Sequence, residues 1–206
     1  MDIERDLAVF INCPYDNEYR DIFEALIFAV IVCGFIPTSA KTPIEGGLSR
    51  IDRIFKCLDH SGFSFHDLSR CKGEGDDNLA RFNMPLELGI AMGQKIYAEN
   101  NDKPGHDWCL LVRKDSNYKR VVSDLAGYDP REYEGEISGA IQAVMVWLSV
   151  QQNARPDMPP PRLVMDVMDD YLKMVEGLRD DWLGDEIPWH MFLKAAGDFA
   201  VKSELL

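Results

Sequence analysis

The sequence predicts an α/β domain, a doubly wound parallel sheet of four to five strands, with a C-terminal helical extension. Three observations predict it. Short apolar runs alternate with segments of helical periodicity from residue 7 to residue 150. The first run, Leu7-Ala8-Val9-Phe10-Ile11, is continuous rather than alternating, as in a strand buried on both faces. A proline-rich stretch, Pro156 to Pro161, then separates this pattern from a long apolar stripe at helical spacing. Residues 1–153 form the expected α/β domain, and residues 154–206 the linker and helical tail.

The elements follow in order. After the first strand come the turn formers Asn12, Pro14, Asp16 and Asn17. Glu18 to Cys33 carries Ile22, Phe23, Leu26, Ile27, Val30 and Ile31 on one helical face, and Gly34 ends it. Phe35 to Thr38 is a second strand, and its Pro37 suits a sheet edge. Leu48 to Leu58 reads as a helix, and Phe63 to Leu68 as a third strand. Ser69 to Asn83 is a polar loop. Pro85 sits in the first turn of a helix rich in small residues. Trp108 to Val112 is the fourth strand, Val121-Val122 the candidate fifth, and Ile137 to Val150 a helix. In the tail, Leu163 to Leu183 and Trp189 to Val201 read as helices, with Trp182 and Trp189 as candidate anchors, either on a partner helix or, the blander reading, on the same chain's α/β domain.

Composition narrows the function. The hydrophobic fraction of 46% is that of a globular domain and excludes wholesale disorder. The net charge of -13 repels phosphate backbones and anionic lipids, so neither nucleic acid nor membrane is an expected partner. The run Ala25 to Cys33 is too short to span a bilayer. Cys13, Cys33, Cys57, Cys71 and Cys109 form no CxxC pair and read as thiols of a cytoplasmic protein. The four histidines are scattered, so no metal site is expected. His66 alternates with aromatics and reads as a core or supporting residue. Phosphate-loop, dinucleotide-fingerprint and nucleophile-elbow motifs are absent.

A doubly wound sheet binds ligands beyond the carboxyl ends of its strands. The residues to inspect are therefore Asn12, Pro14, Tyr15 and Asp16 after the first strand, and Arg50 and Asp52 at the second helix. Asp67, Ser69 and Arg70 follow the third strand, and Arg81, Asn83 and Glu87 surround the third helix's start. Each has a bland reading beside the functional one. Glu87 also suits a helix dipole, Asp67 and Ser69 suit a turn, and Arg50 suits a solvated ion pair.

Val9-Phe10-Ile11-Asn12-Cys13-Pro14-Tyr15-Asp16, Phe65-His66-Asp67-Leu68-Ser69 and Asn83-Met84-Pro85-Leu86-Glu87-Leu88-Gly89-Ile90-Ala91 occur in this order. Together they resemble motifs of the TIR and nucleoside 2-deoxyribosyltransferase-like superfamily, in its bacterial TIR-like branch, which often occurs in antiphage defence. The resemblance covers about residues 7–150 and implies a flavodoxin-like, TIR-like fold. It implies that Glu87 attacks or stabilises the anomeric carbon of a nucleoside or of NAD, with NAD as substrate rather than as cofactor. Around it, Asp67 or Asn83 would hold ribose hydroxyls, and Arg50 or Arg81 the pyrophosphate. Tyr15 or Phe10 would line the base pocket. The expected activity is cleavage of the nicotinamide-ribose bond, giving ADP-ribose, a cyclic product or a conjugate. A deoxyribosyltransferase or N-glycosidase is the alternative enzyme, and a nucleotide-sensing or assembly module the alternative without catalysis. Arg81 stands where deoxyribosyltransferases usually carry an acidic residue, which favours a phosphate-bearing ligand. Self-association and a downstream effector protein complete the expected partners.

Overall fold

The computed structural model describes residues 4–42, 47–70, 73–74, 79–80, 83–101, 105–184 and 187–206. Five strands form one all-parallel sheet: β1 (Ala8–Asn12), β2 (Ile36–Ser39), β3 (Phe63–Asp67), β6 (Asp107–Arg113) and β7 (Arg131–Tyr133). Their order is β2-β1-β3-β6-β7. Two-residue strands β4 (Gly73–Glu74) and β5 (Leu79–Ala80) pair separately and antiparallel. The helices are α1 (Arg20–Val32), α2 (Arg50–Asp59), α3 (Asn83–Asn100), the single turn α4 (Tyr118–Val121) and α5 (Ile137–Leu148). The tail adds α6 (Pro161–Asp166), α7 (Met168–Asp181) and α8 (Trp189–Lys202). This is a flavodoxin-like doubly wound fold with C-terminal helices.

Side-chain alternation assigns the two faces of the sheet. Val9, Ile11, Phe63, Phe65, Cys109 and Leu111 join the core built on α1 and α5. Phe10, Leu110 and Val112 point the other way, toward α2, α3 and α4. The chain leaves β1 toward the first face and β3 toward the second. The sheet's topological switch point therefore lies between the carboxyl ends of β1 and β3, where a crevice must open.

Local chemistry explains the ends of elements. Gly34 has φ +85, and the amides of Gly34 and Phe35 bond the carbonyls of Ile31 and Val30. That is a Schellman cap on α1, and the left-handed backbone there favours glycine. Ser49 caps α2 by accepting the Asp52 amide. Pro37 lies in β2, which is an edge strand as its proline suggests.

Three expectations need correction. The fifth strand is Arg131–Tyr133, whereas Val121 closes α4 and Val122 follows it. An edge strand with two of three residues exposed has no apolar run to reveal it. α3 begins at Asn83, so Pro85 is its third residue and Glu87 lies in its second turn rather than its first. The long tail helix is broken at Val167 into α6 and α7.

Helix α1 explains where the tail goes. Phe23 through Val30 are all buried. A helix buried on every side needs cover opposite the sheet. The tail supplies it with Val164, Met168, Tyr171, Val175, Trp189, Phe192, Ala196 and Ala200 in the same core. The Tyr171 ring stacks on Phe28 at 4.3 Å and its hydroxyl donates to the Glu24 carbonyl. The Arg179 guanidinium bonds the Glu24 carboxylate, which burial pushes up in pKa and the arginine pulls back. Trp189 is buried, but Trp182 is 45% exposed. Among the described residues no helix is long and apolar enough to cross a membrane.

Tyr171→Ala removes a ring that α1 requires. It is expected to cost about 3–5 kcal/mol, as aromatic deletions in cores do. Trp182→Ala, on the exposed side of the tail, is expected to change stability by less than about 0.5 kcal/mol. Urea melts of the two variants check the contrast.

Candidate functional site

Glu87 is 2% exposed, although it is a carboxylate. The Arg50 guanidinium, at the start of α2 and 56% exposed, lies 3.6 Å from its Oε1. Its Oε2 is buried and makes no hydrogen bond. Burial pushes its pKa up to about 7, and the Arg50 charge opposes that rise. Three further neighbours feel this carboxylate, since its charge contributes to raising the Cys13 and Cys57 thiols and the Tyr15 phenol. Glu87 thus stands at the switch-point crevice and ionises within the physiological range.

Asn12 ends β1 and lies opposite His66 in the β1–β3 register. Its orientation follows from a chain of buried hydrogen bonds. The Ser61 carbonyl can only accept, so His106 Nδ1–H donates to it at 2.8 Å. His106 Nε2 then accepts the Ser64 hydroxyl at 2.8 Å. Ser64 Oγ accepts His66 Nε2–H at 2.9 Å. His66 Nδ1 is left to accept the Asn12 amide at 2.7 Å. The chain requires both imidazoles to be neutral, and burial lowers their pKa values to about 3 for His66 and about 4 for His106. The Asn12 amide nitrogen also donates to the Met84 carbonyl in the first turn of α3. Asn12 Oδ1 is therefore turned away from both partners, buried and unbonded. The sequence reading gave His66 only a supporting place, and this relay is that place.

Asp67 lies elsewhere. Alternation puts it on the α1 and α5 face, where its Oδ2 accepts the hydroxyls of Tyr19 and Tyr133. Its Oδ1 accepts the Ser69 amide at 2.7 Å. Ser69 Oγ donates to Tyr133 and accepts the Arg113 amide. Asp67 and Ser69 thus close a buried network that ties β3, β6, β7 and the start of α1. Burial raises the Asp67 carboxyl, and these hydrogen bonds counter it.

The remaining candidates divide. Phe10 is fully buried among Ile54, Cys57, Leu58 and Ala91, so it packs the core and lines no base pocket. Pro14 is buried at the crevice's edge, and Tyr15 is half-buried with its hydroxyl donating to the Ile11 carbonyl. Asp16 receives the Tyr19 amide and one arm of Arg70, whose other arm reaches Glu18. Arg70 therefore braces the β1–α1 loop instead of joining Arg50 at Glu87. Asn83 is exposed at the start of α3. Arg81 lies outside the described residues, as does Cys71. Cys13, Cys33, Cys57 and Cys109 are buried free thiols. Among the described residues no group of three His, Cys, Asp or Glu could hold a metal ion.

A cleft lies beside this crevice, not within it. About 720 Å³ opens between the β1–α1 loop, the ends of β2 and α2, and the tail. Tyr15 lines it, and so do Lys41, Arg53 and Trp189. Glu87 does not. Lys41 and Arg53 did not stand out in the sequence, and Trp189 stood out only as a packing anchor, because the lining comes from distant segments with no shared motif.

No family model matches the chain, and no curated protein matches it.

The raised Glu87 pKa sets a stability test. Between about 4.5, where the unfolded carboxyl titrates, and about 7, the folded chain holds the extra proton. The group therefore lowers stability as pH rises through that window, by about 3 kcal/mol in full. Glu87→Gln removes the buried charge, with part of the gain offset by the loss of Arg50's partner. The variant is expected to melt several degrees above the parent at pH 8, at roughly 2–4 °C per kcal/mol. The gap closes toward pH 4.5. Calorimetry across that range checks the sign.

Proposed function

We propose that the chain cleaves the N-glycosidic bond between nicotinamide and ribose in NAD, with Glu87 as the catalytic carboxylate. One observation carries the reading. An ionisable carboxyl is held at the sheet's switch point, almost wholly buried, with one oxygen unbonded and an exposed arginine beside the other. A buried unsatisfied oxygen costs about 1–3 kcal/mol, and such costs concentrate at functional sites. The resemblance in the three motifs assigns the same residue.

The reaction follows from what these groups can do. The bond from the anomeric carbon to the pyridinium nitrogen breaks, and its electron pair goes to the nitrogen, which leaves as neutral nicotinamide. The positive charge that develops on the ribosyl centre is stabilised by ionised Glu87 beneath it, or captured covalently. Water then bonds the anomeric carbon and gives up a proton, forming ADP-ribose. An internal nitrogen or another small acceptor gives the cyclic or conjugated product. Asn12 Oδ1 is a free acceptor suited to a ribose hydroxyl, and Arg50 is exposed enough to meet a phosphate. Arg50 thus keeps the phosphate task expected of Arg50 or Arg81, and Asn12 takes the ribose task expected of Asp67 or Asn83. Service in antiphage defence is part of the same proposal.

Purified protein incubated with NAD and, separately, with deoxynucleosides is expected to release nicotinamide from NAD alone, read by mass spectrometry. Base release only from the deoxynucleosides would make it a deoxyribosyltransferase or N-glycosidase. No release from either, with saturable nucleotide binding, would make it a sensor. Glu87→Gln is expected to lower turnover by at least about a hundredfold while the fold survives. The ionised carboxylate is the active form, so kcat/KM is expected to rise with pH through about 7. Arg50→Ala removes the charge that lowers the Glu87 pKa, so that limb is expected to move to higher pH.

A further inference from the structure

The cleft between the α/β core and the tail is chemically one-sided. Among the described residues, four basic side chains line it, Arg20, Lys41, Arg53 and Arg179, against two acidic ones, Asp16 and Glu24. This occurs in a chain of net charge -13. Both acids are engaged, Asp16 by Arg70 and Glu24 by Arg179. Lys41 is different. Its ammonium lies over the rings of Tyr15 and Phe23, at 5.7 and 5.3 Å from their centroids, and among the described residues no carboxylate pairs with it.

The unpartnered buried atoms on the lining agree. Arg53 Nε and Trp189 Nε1 are buried without a hydrogen bond, and both are donors. Trp189 is only 7% exposed. No unbonded buried acceptor of the described residues lines the cleft. Helix α8 starts at its wall with no side-chain cap, so its positive end adds to the field. The rest of the wall is aromatic, with Tyr15, Phe23, Trp189 and Phe192. The volume lies within the roughly 300–1,000 Å³ of small-molecule sites.

We infer that this cleft binds a nucleoside phosphate, with the phosphate at Lys41 and Arg53 and the ring against the aromatic wall. Spare donors and positive charge select an anion, and the aromatic wall selects a planar ring joined to it. The site does not rest on the glycosidic reading, because Glu87 is outside its lining. It draws on Trp189 and Phe192 of the tail, and the tail lies outside the family resemblance.

Titration calorimetry of the full chain with AMP, adenosine and inorganic phosphate tests this. AMP is expected to bind, and the two fragments at least tenfold more weakly. Lys41→Gln, an exposed and structurally mild change, is expected to weaken AMP tenfold or more. Arg53→Gln is expected to do the same, and Trp189→Phe to weaken it severalfold. Glu87→Gln is expected to bind AMP as the parent does, whether or not the chain releases nicotinamide. The inference is overturned if AMP fails to bind, if either fragment binds as well as AMP, or if Lys41→Gln leaves AMP affinity unchanged. It is also overturned if only Glu87→Gln abolishes binding, which would move the ligand to the crevice.

Discussion

A helix with no polar face has to be covered on both sides, and α1 is that helix. Its inner side meets β1 and α5, while its outer side would leave Phe28 and its neighbours in water. The tail answers this by laying α7 and α8 across it, with Tyr171 on Phe28 and Arg179 on Glu24. The buried ion pair fixes where α7 docks, since breaking such a pair costs about 3–5 kcal/mol. The same docking brings the start of α8 to the β1–α1 loop. The cleft thus comes from covering one apolar helix.

Tyr15 is where this packing meets the crevice. Its ring packs edge-on against Phe23 of α1, and its hydroxyl is held between the Ile11 carbonyl and the Ala40 amide. On its other side its phenol feels the charges of Glu87 and Arg50. Arg50 and Arg53, one turn apart on α2, divide in the same way between the carboxylate and the cleft. The cleft and the Glu87 crevice therefore share Tyr15 and α2 as a common wall.

Much of the fold was legible in the sequence, because continuous apolar runs and helical periodicity are strong signals. β1 and the centre of β6 are buried on both faces and advertise it in continuous apolar runs, whereas β3 alternates Phe63-Ser64-Phe65-His66 although all of it is buried. β7 is exposed at two of its three positions, so nothing in Arg131-Glu132-Tyr133 marks a strand. The site was half legible. Glu87 and Asn12 were legible as candidates because turn chemistry and the motifs locate the carboxyl ends of strands. The sorting of Asp67 to the opposite face was also written in the sequence, in the two-residue period of Phe63 to Asp67. That period cannot say which face carries Glu87 until α3 is placed. Nor can it say that Phe10, on the face that meets α2 and α3, is sealed in the core. The cleft was not legible, since Tyr15, Lys41, Arg53 and Trp189 meet only once the tail has docked.

One ionisation governs the crevice. Glu87 has to be buried enough to resist charge and close enough to Arg50 to accept it near neutrality. Carbon-13 NMR of carboxyl-labelled protein, with the Glu87 resonance assigned by its absence in Glu87→Gln, measures this directly. A midpoint near 7 is expected. A midpoint near 4.5, the value of an exposed glutamate, would show a solvated side chain and contradict the site built around it.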